Sequence, residues 1–130
     1  MRGLVTFSTG ADFKKTRKFL EAIRKRRIYD TLDEYGKKGV RLLQESTPKR
    51  TGATAASWSY RVVMEDKSVG IEWLNSNMAN DGVTPVAILI QMGHGTRNGG
   101  YVQPNDYINP TMGPLFDEIT NKIAEVVRSL

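Results

Sequence analysis

The apolar positions in the first third of the chain recur with a helical period. One stripe predicts a helix over residues 11–27, and a second predicts a helix over residues 28–46. The apolar members of the first stripe are Phe13, Phe19, Leu20 and Ile23. Those of the second are Ile28, Leu32, Tyr35, Val40 and Leu43. Gly36 and Gly39 share the second stripe, so we expect another backbone to approach that helix closely.

The centre of the chain alternates between apolar and polar residues instead. Residues 57–64 and 69–73 each show this period of two, with a polar turn between them, which predicts an antiparallel β-hairpin. Trp58 and Trp73 lie one on each arm and are most simply core residues, each of which needs a partner for its indole N–H. A further short β-prone stretch occurs at residues 3–8.

Proline signals mark the helix starts in the last third of the chain. Thr84-Pro85 and Asn109-Pro110 each combine a capping residue with a proline at the first helical position. The run from Val86 to Met92 is open between a short helix and a strand, because its β-branched residues suit both. The second proline begins a final helix with a continuous apolar face. That face comprises Met112, Leu115, Phe116, Ile119, Ile123, Val126 and Val127.

These elements predict an α+β fold in a single domain, residues 1–130. A small antiparallel β-sheet built on residues 57–74 is expected to be flanked by the N-terminal and C-terminal helices, residues 28–46 and 110–129. Within the domain, residues 1–27 form a basic helical lead-in and residues 28–130 form the α+β core.

The composition of the chain excludes several classes of protein. With 130 residues, 39% of them hydrophobic and 25% charged, it has the make-up of an ordinary globular domain. The longest apolar run, at residues 86–90, is too short for a membrane span, and the N-terminus has no pattern of a secretory signal. The absence of cysteine excludes disulfides, thiolate zinc sites, iron–sulfur clusters and a cysteine nucleophile, and fits a reducing cytoplasm.

The charge of the chain is unevenly distributed. Residues 1–50 carry 14 basic and 6 acidic residues, a balance of +8, whereas residues 51–130 have a balance of −3. The candidate basic surface consists of Lys14, Lys15, Arg17, Lys18, Arg24, Lys25, Arg26 and Arg27. Such a surface favours nucleic acid or an acidic neighbouring subunit. No motif for reading bases and no ladder of aromatic residues accompanies it, so any nucleic-acid binding would be without sequence preference.

Candidate catalytic residues are few. His94 is the only histidine, and it lacks the second histidine or the cysteine that metal sites and general-base catalysis use. The glycines of residues 93–100 do not have the spacing of a phosphate-binding loop. Asp30, Asp33 and Glu34 form the only tight acidic group, and Asp30 and Glu34 have the spacing of surface ion pairs. We therefore predict no catalytic residue, no metal site and no cofactor.

The glycine-rich segment is expected to be irregular and shaped by a partner. Arg97 at its tip is a candidate for an intermolecular contact, because an exposed guanidinium can form two hydrogen bonds to a carboxylate. Tyr101 and Val102 after it predict a short strand. Three loops are expected to be exposed in an isolated subunit and ordered by neighbours, namely residues 47–56, 75–83 and 93–106.

Three motifs follow one another in an order that resembles a known family. The first is TPKRTG at residues 47–52, ahead of the hairpin. The second is VAILIQMGHGT at residues 86–96, and the third is RNGGYV at residues 97–102, which leads to YINP at residues 107–110. Over residues 30–130 this order resembles the tail-completion or head–tail joining proteins of tailed bacteriophages.

The resemblance implies a non-enzymatic structural protein of the virion tail or neck, assembled in the host cytoplasm. It implies a ring of subunits, six-fold or twelve-fold, around the DNA channel, with contact to that DNA and none to a membrane. The ring binds the head connector or adaptor on one side and the tail terminator or tail tube on the other. The candidate interface residues are Pro48, Arg50, Thr51, Gly52, His94, Gly95, Thr96, Arg97, Gly99, Gly100 and Tyr101. A non-specific nucleic-acid-binding protein is the alternative function. Gln91 stands where many members of the family carry an acidic residue.

Overall fold

In a computed structural model, helices pack on one face of a three-stranded antiparallel sheet, which confirms the α+β prediction. The structure describes residues 3–9, 22–49, 52–65, 68–96 and 98–129. Its elements are β1 (Val5–Thr9), α1 (Ala22–Ser46), α2 (Ala53–Ala56), β2 (Trp58–Met64), β3 (Val69–Asn75), α3 (Val86–Met92), β4 (His94–Gly95), β5 (Tyr101–Val102) and α4 (Ile108–Arg128). Most of the helix predicted over residues 11–27 lies outside the described residues.

The sheet has the order β1-β3-β2, so the predicted hairpin forms and β1 adds a third strand beside β3. The register places Trp73 opposite both Val5 and Tyr60, and Ile71 opposite both Phe7 and Val62. These residues therefore share one face of the sheet, because opposite residues in antiparallel strands point the same way.

Helix α1 continues through the boundary expected between residues 27 and 28. Neither Arg27 nor Ile28 is a helix-breaking residue, so the helix runs without a break from the described end of the first predicted helix into the second. Ile28, Leu32 and Leu43 are fully buried, which confirms the second stripe as the face that meets the core.

The two glycines of α1 meet aromatic rings, not the backbone that we expected. A Cβ atom at Gly36 would overlap the ring of Tyr60, and one at Gly39 would overlap the indole of Trp73. The indole N–H of Trp73 donates to the carbonyl oxygen of Gly36 over 3.0 Å. The close approach therefore seats a completely buried tryptophan directly on the helix.

Helix α4 completes the core against α1 and the sheet. Its buried residues are Ile108, Met112, Leu115, Ile119, Ile123 and Val126. The ring of Phe116 stacks on Trp73, with ring centroids 6.0 Å apart. Val127 is 39% exposed, contrary to its predicted place on the apolar face, because Val126 occupies that turn of the buried stripe.

Several predicted loop and cap positions need correction. Residues 86–92 form a helix, which decides the choice left open between helix and strand, and its N-cap is Pro85 instead of Thr84. Helix α4 begins before Asn109, with Tyr107 as its N-cap. The loops expected to be exposed also contain buried residues, namely Ala55 and three polar residues. The polar ones are Thr47, Thr54 and Asn75, and hydrogen bonds within the fold hold each of them.

Candidate binding groove

Three segments that are distant in sequence enclose one groove of about 560 Å³ on the surface of the domain. One wall comes from the segment between α1 and β2, a second from α3, and a third from the hairpin formed by β4 and β5. The lining is mostly apolar. A concave site of this size and character is the usual form of a binding site in a protein.

The first wall contains Pro48, Gly52 and Thr54, and the core holds it in place. Helix α1 ends ahead of Pro48, and Gly52 begins α2 with a φ of 81°, a conformation that favours glycine. The buried side chain of Asn75 donates to the carbonyl oxygen of Thr54 over 2.9 Å. Asn77, which also lines the groove, donates to the Thr54 hydroxyl over 2.8 Å.

A second anchor of this wall is Thr47, at the end of α1. Its hydroxyl accepts a hydrogen bond from the indole N–H of Trp58 over 2.8 Å and donates to the carbonyl oxygen of Leu43. Trp58 is buried, as predicted, and Thr47 is the partner its N–H requires. The segment after α1 is thereby tied to β2.

The second wall is one face of α3, where Val86 and Ile90 lie one turn apart. The same helix is fastened to α4 through Gln91. Its Oε1 atom accepts from the backbone N–H groups of Tyr107 and Ile108, both over 3.1 Å, and its Nε2 atom donates to Asp106 over 2.6 Å. One amide therefore caps α4 and binds a carboxylate, a combination that an acidic residue at this position cannot make.

The third wall is the hairpin, part of which we expected to be irregular. His94 stands opposite Val102, and both line the groove together with Thr96. Gly95 stands opposite Tyr101 on the other face, because side chains alternate along a strand. The Nδ1 atom of His94 lies 3.4 Å from the carbonyl oxygen of Leu89 at the end of α3.

Among the described residues, no Asp, Glu, Lys or Arg lines the groove, although these four types make up 25% of the chain. Gln103 and Asn105 add amide groups at its edge, and neither side chain forms a hydrogen bond with the described residues. The described part of the groove thus offers apolar surface together with amide donors and acceptors.

Exposed apolar side chains occur on the elements that form the groove. Met92 at the end of α3 is 65% exposed, and Val102 in the groove lining is 40% exposed. Tyr101, on the other face of the hairpin, is 59% exposed. Exposed apolar surface of this kind is a candidate for contact with a partner.

The structure brings the two parts of the candidate interface together. Pro48, Gly52, His94 and Thr96 line the groove. Gly95, Gly99, Gly100 and Tyr101 lie in the adjoining hairpin, where Gly99 has a φ of 79°. Arg50, Thr51 and Arg97 lie outside the described residues. Sequence reasoning missed Thr54, Asn77, Val86, Ile90, Val102, Gln103 and Asn105, since only the folded chain brings them to one place.

Part of the candidate basic surface lies outside the described residues, namely Lys14, Lys15, Arg17 and Lys18 with the side chain of Arg24. Lys25, Arg26 and Arg27 are exposed near the start of α1. Arg26 lies 3.9 Å from Asp30, and Arg27 donates to the hydroxyl of Ser129 over 3.2 Å.

The basic and acidic parts of the chain also meet within the domain. Lys38 of α1 forms an ion pair with Glu118 of α4 at 3.1 Å. The charge asymmetry therefore contributes to packing between these helices as well as to the outer surface.

Titratable groups with shifted pKa values support the fold and lie outside the groove lining. Burial raises the pKa of Tyr107 to about 12, and burial with the nearby Asp33 raises that of Tyr60 to about 12. The hydrogen bond from Tyr60 lowers the pKa of Asp33. Hydrogen bonds from Thr84 and Val83 lower the pKa of Asp81 to about 2.

Two searches of the described residues gave no site of another kind. Among them, no group of three or more His, Cys, Asp or Glu side chains is arranged to hold a metal ion. No helix within the described ranges is long and apolar enough to cross a membrane.

Comparison of the chain with protein-family models, with curated proteins and with solved structures gives no match.

Proposed function

We propose that this protein is a non-enzymatic virion structural protein, a ring-forming tail-completion or neck subunit that joins the head connector of a tailed bacteriophage to the tail. One observation carries the proposal. The three motifs on which the resemblance to that family depends, at residues 47–52, 86–96 and 97–102, each contribute described residues to the lining of a single groove, as Pro48, Ile90 and Val102 do.

The chemistry of the groove favours a protein partner. Charged residues are depleted at the centres of protein interfaces, and aromatic residues and Met are enriched there. Among the described residues, the groove lining has none of the four charged types, and Met92 and Tyr101 are exposed on two of the elements that form its walls. Binding through such a surface gains free energy from apolar burial without the cost of desolvating unpaired charges.

The placement of the apolar surface suits a ring. The groove and the outward face of the β4–β5 hairpin are different surfaces, so a contact between them joins copies head to tail. A head-to-tail contact whose rotation closes generates a ring. We propose six or twelve copies, with the connector or adaptor on one side and the tail terminator or tail tube on the other.

The alternative function is binding of nucleic acid without sequence preference. It is favoured by the exposure of Lys25, Arg26 and Arg27 along the start of α1, with the half-exposed ring of Tyr29 beside them. Phosphate contacts of this kind lose affinity steeply as salt concentration rises.

Electron microscopy and sedimentation of the full chain test the leading proposal. We expect rings, either from the protein alone or after addition of a phage connector and tail-tube protein. A chain that stays monomeric with these partners, and virions that remain infectious without it, would contradict the proposal. Salt-dependent DNA binding by such a monomer, lost on charge reversal of Arg26 and Arg27, would establish the alternative.

A further inference from the structure

We infer that the groove receives Tyr101 from a second copy of this chain. The inference rests on the proposed function, because it requires copies to associate, and it identifies the side chain and the pocket that make the contact.

The side chain of Tyr101 points away from the groove of its own chain, so it can only enter the groove of another copy. Thr96 donates its N–H to the carbonyl oxygen of Gly100 over 2.9 Å, and His94 pairs with Val102 farther along the hairpin. Val102 faces the groove, so Tyr101, its neighbour along the strand, faces the opposite side. The ring is 59% exposed there, on the second strand of a short hairpin.

The occupant and the groove match in charge. Residues 98–105 are exposed and contain neither an acidic nor a basic residue, and within the described ranges no acidic or basic residue other than His94 lines the groove. An occupant with a net charge would lose its hydration without gaining a partner there. Elsewhere, the exposed helix faces carry many charges, as on α1 and α4. Residues 98–105, which include β5, are therefore the segment of this chain that we infer to complement the groove.

The polar groups of the groove fit a tyrosine in particular. An inserted ring would contact Val86, Ile90 and Val102, and a buried tyrosine hydroxyl needs a hydrogen-bond partner. The amide groups of Gln103 and Asn105 line the same groove and have no partner among the described residues. Aromatic side chains seated in apolar pockets often dominate the affinity of an interface.

A pair of complementary variants tests this contact. Tyr101→Ala removes the occupant and leaves the groove intact, whereas Asn105→Trp fills the groove and leaves Tyr101 intact. Each variant alone should lose ring assembly, with association weakened by at least about 30-fold. An equal mixture of the two should form heterodimers and stop there, because it holds one intact groove and one intact tyrosine per pair.

Matched controls separate this contact from general damage. Tyr29→Ala removes another half-exposed tyrosine, on α1, and should assemble as the wild type does. Tyr101→Phe keeps the ring and should assemble more weakly than wild type but more strongly than Tyr101→Ala. Circular dichroism and thermal unfolding check that each variant is folded. If Asn105→Trp does not fold, Thr96→Arg replaces it as the variant that blocks the groove.

The outcomes distinguish this inference from the proposed function. If the wild type and Tyr101→Ala assemble equally well, the inference is wrong and the assembly function stands. The same holds if the mixture of variants gives no heterodimer while the wild type forms rings. If the wild type associates neither with itself nor with neck proteins, the proposed function fails, and the inference fails with it.

Discussion

The core and the groove region of this domain are stabilised in different ways. The core, formed by α1, α4 and the sheet, is built from large apolar side chains that are completely buried, such as Trp73, Leu32 and Ile119. The groove region, residues 75–107, has few of these and depends on polar contacts made by Asn75 and Gln91. The charge of the chain is carried mainly outside this region.

Because of this difference, the contacts that stabilise the core are separate from the exposed surface of the groove region. Apolar burial is non-directional, so the core does not depend on precisely placed polar groups and can be stable in the isolated subunit. Polar contacts position α3 and the segment before β2 while leaving the groove and the hairpin surface exposed. The domain therefore folds without burying the apolar surface of the groove, which stays exposed for the association that we propose.

Among the variants that test the difference between the two regions, Trp73→Ala is expected to lower the free energy of unfolding most. The side chain is fully buried between Gly39 and Phe116, and its N–H donates to the carbonyl oxygen of Gly36, so its removal leaves a cavity and breaks that hydrogen bond. We expect the free energy of unfolding to fall by about 3–5 kcal/mol in urea denaturation. Tyr101→Ala, in the exposed hairpin, should change it by less than about 0.5 kcal/mol. Equal losses for the two variants would remove the distinction between the regions.

A smaller loss is expected from Asn75→Ala, at the junction of the two regions. It removes the donor to Thr54 and the acceptor for the N–H of Asn77, and leaves both groups without these bonds. The free energy of unfolding should fall by about 1–3 kcal/mol. Amide exchange should accelerate in residues 52–57 more than in α1, and Asn105→Ala serves as the control because its side chain is exposed. Uniform acceleration throughout the chain would show that Asn75 supports the whole fold instead.

The periodic parts of the core could be predicted from the sequence. The stripe of Ile28, Leu32 and Leu43 and the alternation of residues 57–64 and 69–73 record which side of each element is buried. The period of the apolar residues does not show which helix or strand packs against which other one. The pairing of β1 with β3 and the rings that cover Gly36 and Gly39 depend on contacts across the chain, so they could not be predicted.

The groove was predictable only in part. Its two motif segments were recognised as candidates for partner contacts, but nothing local in the sequence indicates that they meet. The cap of α4 illustrates the reason: Asn109 has the sequence signal, whereas Gln91, in the preceding helix, provides the side chain that accepts from the first N–H groups. A cap supplied from another element leaves no local pattern.

Gln91→Glu tests the polar support of the groove region with a smaller change. The carboxylate can still accept from Tyr107 and Ile108, but it replaces the amide that donates to Asp106 over 2.6 Å. We expect a loss of about 1 kcal/mol at neutral pH from repulsion between the two carboxylates. This repulsion requires both carboxylates to be charged, so the loss should diminish in acid. Thermal unfolding at several pH values measures this, and the added change Asp106→Asn should restore the stability. A loss that stays constant with pH would point to packing.

The smallest effect is expected at Asp81, in the turn that leads into α3. Its Oδ2 atom accepts from the Thr84 hydroxyl over 2.6 Å, and its Oδ1 atom accepts from the N–H groups of Thr84 and Val83 over 2.8 and 2.9 Å. These bonds, that of the hydroxyl above all, lower its pKa from 3.8 to about 2. A pKa that is lower in the folded state stabilises the fold above pH 3.8, and that contribution is lost as pH falls through about 2. Asp81→Asn keeps an acceptor but has no charge, so the melting temperatures of the variant and the wild type should converge between pH 4 and pH 2. We measure the difference between the two proteins, because other carboxylates such as Asp33, whose pKa is also lowered, titrate equally in both. A difference that persists unchanged below pH 2 would show that the carboxylate charge does not support this turn, and that the groove region is held here by geometry alone.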